Sequence, residues 1–214
     1  MDALVVESQA VYRELVTAML KRHGFSRVKH ACDSAEALRE VSSGVFGFAL
    51  IDLSFDGGGG AVLANAAARP SAVRPKILVT SPIVTEYILL QISRVPARVA
   101  LIDKHNETLA GLRHTVNSVL VEKDIPIRPR RCGNERMLCR ILTPRDEDLL
   151  HYLAQGCTDA DISSKMQLSR RTVEGRKALL LDKLQMTCSH ELVQFSRSQG
   201  FHLFSRHRSR SADS

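Results

Sequence analysis

The sequence has 214 residues, of which 44% are hydrophobic and 5% are aromatic, and its formal net charge is +7. This composition excludes a disordered chain, and the sequence contains no apolar run long enough to cross a membrane. The length suits two ordinary domains, and because the basic excess is concentrated after residue 121, we expect a polyanionic partner for the C-terminal half.

The N-terminal residues and the cysteines indicate where the protein resides. Asp2 and Glu7 interrupt the short apolar start, which argues against a signal peptide. The five cysteines are an odd number without a C-x-x-C pair, which is typical of reduced thiols. We therefore expect a cytoplasmic protein that does not associate with a membrane.

Apolar runs alternate with amphipathic segments over the first 121 residues. The apolar runs predict strands at residues 3–6, 28–31, 46–51, 77–79 and 99–102. The segments between and after them predict helices at residues 11–22, 34–41, 61–68, 84–93 and 107–120. Five strands that alternate with five helices indicate an α/β domain with a doubly wound parallel sheet. In such sheets, functional groups gather beyond the carboxyl ends of the strands.

Four of the predicted strands end in polar residues, namely Glu7, Asp52, Thr80 and Lys104. Carboxylates can hold Mg²⁺, an ammonium group neutralises phosphoryl oxygens, and a hydroxyl can donate a hydrogen bond to one of them. Together these groups are the equipment for an aspartyl phosphate. The alternative is that each is merely a polar residue at the end of a strand.

These positions resemble the CheY-like receiver domain of response regulators. The resemblance implies that Asp52 is the phosphoacceptor, that Thr80 is the switch hydroxyl and that Lys104 binds the phosphate. It also places Glu7, Asp52 and the Ser54 carbonyl around a Mg²⁺ ion. A sensor histidine kinase is the partner that this resemblance implies.

The sequence departs from the receiver pattern in three places. Ser8 stands where the family has a second acid, which removes one carboxylate from the metal site, so the Mg²⁺ site is predicted to be weak or lost. Leu101 stands where relatives usually have the switch aromatic. Asp56 and three following glycines replace the usual methionine-proline turn, which predicts a looser loop beside Asp52.

Residues 122–140 contain two prolines and five arginines, a composition typical of a linker between domains 1–121 and 141–200. Residues 201–214 form a tail rich in arginine and serine, which predicts disorder.

Three short helices are predicted between Leu142 and Met186. Each begins at a hydroxyl residue suited to an N-cap, namely Thr143, Thr158 and Ser169. The break between the second and third helices is only a few residues long, which is the spacing of a helix-turn-helix whose second member enters the major groove of DNA. A plain helical subdomain is the alternative.

Several motifs in this segment are specific: Leu142-Thr143-Pro144-Arg145-Asp146, Leu149-Leu150, Ala154-Gln155-Gly156, Asp161-Ile162, Leu168-Ser169, Thr172-Val173 and Lys183-Leu184. Position by position and without a gap, they resemble the LuxR/NarL-type DNA-binding domain. The resemblance implies a four-helix domain in which the helix from Arg170 to Leu184 reads double-stranded promoter DNA.

The resemblance also implies which residues contact DNA: Arg170, Arg171, Thr172, Glu174, Gly175, Arg176, Lys177 and Ala178. The arginines and Lys177 lie at the start and flanks of the helix, so we expect them to bind phosphates. Base contacts in the family usually come from the positions of Glu174, Gly175 and Ala178, where relatives often carry lysine, valine or another polar residue. This chain departs from the family there.

A following helix, at about residues 189–199, pairs subunits in the family. Its apolar residues Leu192, Val193 and Phe195 therefore predict a homodimer with DNA half-sites about one helical turn apart. The alternative for Phe195 is a place in the domain core.

The two resemblances together imply a response regulator that binds promoter DNA and regulates transcription. The alternative is a regulator that binds DNA but does not depend on phosphorylation. Its receiver-like domain then serves as a dimerisation or partner-binding module. An enzyme of the phosphatase class is the more distant rival. The chain lacks a second base, a Gly-rich phosphate loop that opens a helix and a metal-ligand cluster, so we predict that it is not an enzyme.

Overall fold

The computed structural model describes residues 1–70, 72, 74–121 and 141–204. The predicted linker at residues 122–140 and most of the predicted tail lie outside this part of the chain. Among the described residues, no helix is both long enough and apolar enough to cross a membrane.

The first half of the chain forms a five-stranded sheet with its helices, which we call the sheet domain (residues 1–121). Its strands are β1 (Asp2–Val6), β2 (Arg27–His30), β3 (Phe48–Asp52), β4 (Lys76–Ser81) and β5 (Val99–Asp103). All neighbouring strands pair in parallel, in the order β2-β1-β3-β4-β5. Every residue of β3 is buried, because helices cover both faces of the sheet, and this explains its continuous apolar sequence. The predicted parallel sheet is confirmed.

The helices of the sheet domain lie on both faces. They are α1 (Ala10–Arg22), α2 (Ser34–Ser43), α3 (Gly59–Ala68), α4 (Glu86–Ser93) and α5 (Leu109–Val121). One apolar cluster joins α1 and α5 to one face through residues such as Leu20 and Val116. A second cluster joins α2, α3 and α4 to the other face, through Val41, Leu63 and Ile88 among others. This is the doubly wound arrangement that the sequence predicts.

The second half of the described chain is helical, and we call it the helical domain (residues 141–204). Its helices are α6 (Pro144–Ala154), α7 (Asp159–Met166), α8 (Arg170–Lys183) and α9 (Ser189–Gln199). Thr143 and Thr158 each form a capping box, and the Ser169 side chain accepts a hydrogen bond from the Thr172 backbone. Gln167 adopts the left-handed conformation (φ 56°) and ends α7 three residues before α8 begins. The helix-turn-helix geometry therefore follows from the caps that the sequence shows.

The segment that follows α9, residues 200–204, is folded against the rest of the protein. Gly200 has a left-handed conformation (φ 81°) and is followed by a short 3-10 helix at Phe201–Leu203. Phe201, Leu203 and Phe204 are buried in the same apolar cluster as α4 and α9. The prediction of disorder from residue 201 is therefore wrong for residues 201–204, because their aromatic and aliphatic side chains fill the space between the two domains.

Candidate acceptor site and nucleic-acid interface

The carboxyl edge of the sheet brings together the residues predicted for the acceptor site. Asp52 is the last residue of β3 and lies beside Thr80 in the register of β3 and β4. The Lys104 ammonium, which follows β5, lies 2.9 Å from both carboxylate oxygens of Glu7 and 3.2 Å from Asp52 Oδ2. A single lysine therefore bridges the two carboxylates.

This cluster is almost completely shielded from solvent. The side chains of Glu7, Asp52 and Lys104 are 0%, 1% and 6% exposed. Burial raises the pKa of Glu7 above its ordinary value, although hydrogen bonds from Lys104 and from the Gln9 backbone oppose this rise. The Lys104 ammonium also lies 5.1 Å from the centre of the Tyr12 ring. The site thus keeps its charges paired within a low-dielectric environment.

Two hydroxyl groups flank Asp52 in different ways. The backbone N–H and the hydroxyl of Ser54 donate to Asp52 Oδ1 at 3.0 and 2.8 Å. Sequence reasoning considered only the Ser54 carbonyl and missed this side-chain contact. The Thr80 hydroxyl, in contrast, is buried and has no hydrogen-bond partner among the described residues. Thr80 therefore holds an unused donor beside Asp52. Leaving a buried hydroxyl unpaired costs about 1–3 kcal/mol of stability.

The residues at this edge do not fit a Mg²⁺ site. Lys104 occupies both Glu7 oxygens, and Ser8 is exposed and offers only a neutral hydroxyl. The Arg13 guanidinium donates to the backbone carbonyl oxygens of Glu7 and Ser8 at 3.1 and 3.4 Å, which adds positive charge beside these two residues. Within the described ranges, no three or more His, Cys, Asp or Glu side chains form a metal-binding group.

The loop after Asp52 has hydrogen bonds to α2, and its predicted looseness stays a prediction. The Asp56 carboxylate accepts hydrogen bonds from the backbone and the hydroxyl of Ser34 at the start of α2. A Cβ atom on Gly59 would lie 2.1 Å from the Asp52 carbonyl oxygen, and one on Gly60 would lie 2.2 Å from the Leu203 carbonyl oxygen. These two glycines, at the start of α3, therefore allow close packing of backbones.

Helix α8 presents most of the predicted DNA-contacting residues to solvent: Arg170, Arg171, Thr172, Glu174, Gly175 and Ala178 are exposed. Val173 and Leu180 on its other side are fully buried. The structure thus brings the predicted contact residues to one open surface. The sheet domain does not cover this surface.

Lys177 and Arg176 are the two predicted DNA-contacting residues of α8 that are not fully exposed. The Lys177 ammonium forms an ion pair with Asp159 of α7 at 2.9 and 3.1 Å, and its side chain is only 16% exposed. In this structure Lys177 joins α8 to α7, and its contact with a phosphate stays a prediction. Arg176 is half-buried, and its Nε has no partner among the described residues.

The predicted dimer residues occupy three different environments. Leu192 is fully buried within the helical domain, so its side chain cannot contact a second subunit and that assignment is wrong. Apolar spacing on α9 does not distinguish a core contact from a subunit contact. Val193 is half-buried, and Phe195 packs with its ring centre 6.2 Å from that of Phe201.

The two domains meet at α4. The rings of Tyr87 and Phe201 stack with their centres 3.9 Å apart, and the Thr85 hydroxyl donates to the Gln199 carbonyl oxygen at 2.7 Å. Gln91 and Arg94 both contact the buried carboxylate of Glu147 on α6. Sequence reasoning missed this interface, although the apolar residues after Gly200 are a visible signal of it.

A protein-family model matches the segment that contains the helical domain. Residues 140–196 match the model of bacterial regulatory proteins of the luxR family. Among curated proteins, the oxygen regulatory protein NreC of Staphylococcus aureus strains JH9 and JH1 is 23% identical over 211 residues, which is 92% of this chain and 96% of NreC.

Solved structures of the response regulator RcsB share the fold. RcsB of Salmonella typhimurium aligns with 93% of this chain and 98% of its own, at 17% identity and a TM-score of 0.59. RcsB of Salmonella enterica serovar Typhimurium, bound to a promoter in the presence of the phosphomimetic BeF₃⁻, aligns with 92% and 98%, at 17% identity and a TM-score of 0.57. At this identity, the similarity establishes the shared architecture.

Proposed function

We propose that this chain, whose residues 140–196 form a luxR-family domain, is a DNA-binding transcriptional regulator of the response-regulator type. The observation that carries this proposal is the exposed face of α8. A basic N-terminal edge lies on the second helix of a capped helix-turn-helix, with its core-facing side fully buried. The relatives that share the two-domain architecture include RcsB bound to promoter DNA.

In this proposal, α8 enters the major groove of double-stranded DNA. Arg170 and Arg171 are exposed at its first turn and bind phosphates, which positions the helix without reading sequence. Glu174, Gly175 and Ala178 lie on the open face towards the base edges. Thr172 contacts the backbone beside the helix N-terminus, where amide groups favour phosphate.

The protein acts as a cytoplasmic homodimer, with half-sites about one helical turn apart. Dimers of RcsB bound to two parallel DNAs have the same fold as this chain. With Leu192 in the core, the half-buried Val193 and the exposed Gln194 beside it mark the part of α9 that remains for pairing the helical domains.

The sheet domain is proposed to receive a phosphoryl group on Asp52 from a sensor histidine kinase. The supporting observations are the Lys104 ammonium at 3.2 Å from Asp52 Oδ2 and the unpaired hydroxyl of Thr80 beside it. Lys104 would neutralise charge on the phosphoryl oxygens, and Thr80 would donate a hydrogen bond to one of them. No step is assigned to a metal ion, because the donor set does not match one.

A second candidate function keeps DNA binding and omits phosphorylation. It is favoured by the bidentate contact of Lys104 with Glu7, by the neutral Ser8, and by Leu101 in place of an aromatic switch residue. In this version the buried ion cluster is structural, and the sheet domain serves as a dimerisation or partner-binding module.

One experiment separates these two functions. The protein is incubated with Mg²⁺ and acetyl phosphate, and its intact mass and DNA affinity are measured for the parent, Asp52→Asn and Asp56→Asn. Asp56 is the matched control, because it is an exposed aspartate in the same loop. A gain of about tenfold in DNA affinity that Asp52→Asn abolishes and Asp56→Asn keeps supports the phosphorylation switch. An unchanged mass, with Asp52→Asn binding within a few-fold of the parent, supports the second candidate. Failure to bind any DNA refutes both.

A further inference from the structure

The open face of α8 carries an apolar patch, which we define as Gly175, Ala178 and Leu179. Leu179 is 63% exposed, whereas Leu180 is fully buried, because successive residues of a helix point about 100° apart. Ala178 is exposed, and no atom lies within 4 Å of the position that a Cβ on Gly175 would occupy. The patch is therefore open to solvent.

Helix geometry makes these three residues one continuous surface. Residues three and four positions apart are neighbours on a helix, so Gly175 lies next to both Ala178 and Leu179. Helical side chains lean towards the N-terminus, which directs Leu179 over the turn that contains Gly175. Because Gly175 has no side chain, Leu179 and the backbone can approach a partner closely.

The neighbours of the patch are charged. Arg171 lies one turn before Gly175 on the same face and is exposed, as are the carboxylates of Glu174 beside the patch and Asp182 one turn after it. An apolar patch that follows an exposed arginine on the presented helix matches the major groove, where the thymine C5-methyl group is the apolar feature and phosphates line the entrance. We propose that Leu179, over Gly175 and Ala178, is a specificity-determining residue that reads a thymine methyl group. This inference rests on the proposed DNA-binding function.

The proposal is tested with thymine and its analogue deoxyuridine, which lacks only the C5-methyl group. Preferred sites are selected from a random duplex library with the full-length parent protein. Each thymine of the preferred site is then replaced singly by deoxyuridine, and affinities are measured at fixed salt. We expect one thymine per half-site at which the replacement weakens parent binding about fourfold, the equivalent of one buried methyl group.

Leu179→Ala is expected to bind the deoxyuridine site as well as the parent does and to lose the preference for thymine. Arg171→Ala is the matched control, because it should weaken binding to both sites equally and leave their ratio unchanged. Circular dichroism of each variant checks that the helical domain remains folded.

Three results would overturn the inference. Equal parent affinity for thymine and deoxyuridine at every position would show that no methyl group is read. A thymine preference that survives in Leu179→Ala would assign the reading to another residue. Weaker self-association of Leu179→Ala without DNA, at an unchanged thymine preference, would identify the patch as a protein interface. A selection that yields no bound DNA would instead refute the proposed function itself.

Discussion

Replacing Phe201 by alanine is expected to uncouple the helical domain from the sheet domain while each remains folded. Phe201 is 1% exposed and stacks on Tyr87 with ring centres 3.9 Å apart at an interplanar angle of 23°. It lies after the last helix of the helical domain, whereas Tyr87 belongs to α4 of the sheet domain. The substitution therefore removes an apolar contact between the domains and leaves most of each core intact.

The free energy expected to be lost in Phe201→Ala is larger than the free energy that the polar contacts between the two domains contribute. Truncation of a buried phenylalanine costs about 3–5 kcal/mol, of which the aromatic pair with Tyr87 accounts for about 0.5–1.5 kcal/mol. The hydrogen bond from Thr85 to the Gln199 carbonyl contributes about 1 kcal/mol. The Arg94 side chain is 43% exposed, so its ion pair with Glu147 contributes less than about 1 kcal/mol.

Hydrogen exchange measured by mass spectrometry checks this prediction. Phe201→Ala should reduce protection in α4 and at the C-terminal end of α9, while β1 and β3 keep theirs. Phe25→Ala is the control, because Phe25 is buried in the cluster of α1 and α5 on the opposite face of the sheet. Unchanged exchange in α4 of Phe201→Ala would refute the role of this contact. Because α8 is already exposed, DNA affinity for a single half-site should change by less than about threefold.

Three further predictions concern DNA binding, dimerisation and pH. Arg171→Ala should weaken binding to all DNA sequences and reduce the salt slope by about one; an altered preference at a single base pair would identify Arg171 as a base reader. Val193→Glu should remain folded by circular dichroism but protect only one half-site in footprinting, and full protection of a two-fold site would exclude α9 from the dimer interface. Burial, with added repulsion from His151 and Arg197, lowers the pKa of His202 below its ordinary value of 6.5. The neutral His202 side chain therefore contributes stability above that pH, and this stability is lost as the pH falls and the folded protein must bind the proton. His202→Gln should therefore reduce the loss of thermal stability between about pH 7.5 and 5.5, and an unchanged loss would assign it to another group.

The grouping of Glu7, Asp52 and Lys104 was predictable because these residues lie at the ends of recognisable strands. Asp52 ends the apolar run of β3, Lys104 directly follows β5, and parallel strands bring their carboxyl ends to one edge. The partners of these groups were less predictable. That Lys104 would bind Glu7 more closely than Asp52, and that Ser54 would donate through its hydroxyl, depends on side-chain geometry.

The partners of Leu192 and Lys177 are not visible in the sequence for a common physical reason. Helical position shows the face of a helix but not what lies against that face. Leu192 faces the core of its own domain, and Lys177 faces Asp159. Phe201 was assigned to a disordered tail because it precedes an arginine-rich segment. The composition of that segment hid the apolar residues that join the domains.

The contact between the two domains also connects the carboxyl edge of the sheet, where Asp52 lies, with the helical domain. Thr80 is followed by Ser81, whose hydroxyl donates to the Ile83 carbonyl at 2.5 Å. A Cβ on Gly200 would lie 3.1 Å from the Ile83 side chain and 2.9 Å from that of Ile88, so the turn between β4 and α4 touches the helical domain directly. A group that binds the Thr80 hydroxyl would therefore act on a segment that already contacts Gly200. Leu101 lies on β5 and provides no aromatic ring that could carry a change from Asp52. Among the described residues, the β4–α4 turn is therefore a short connection between Asp52 and the helical domain.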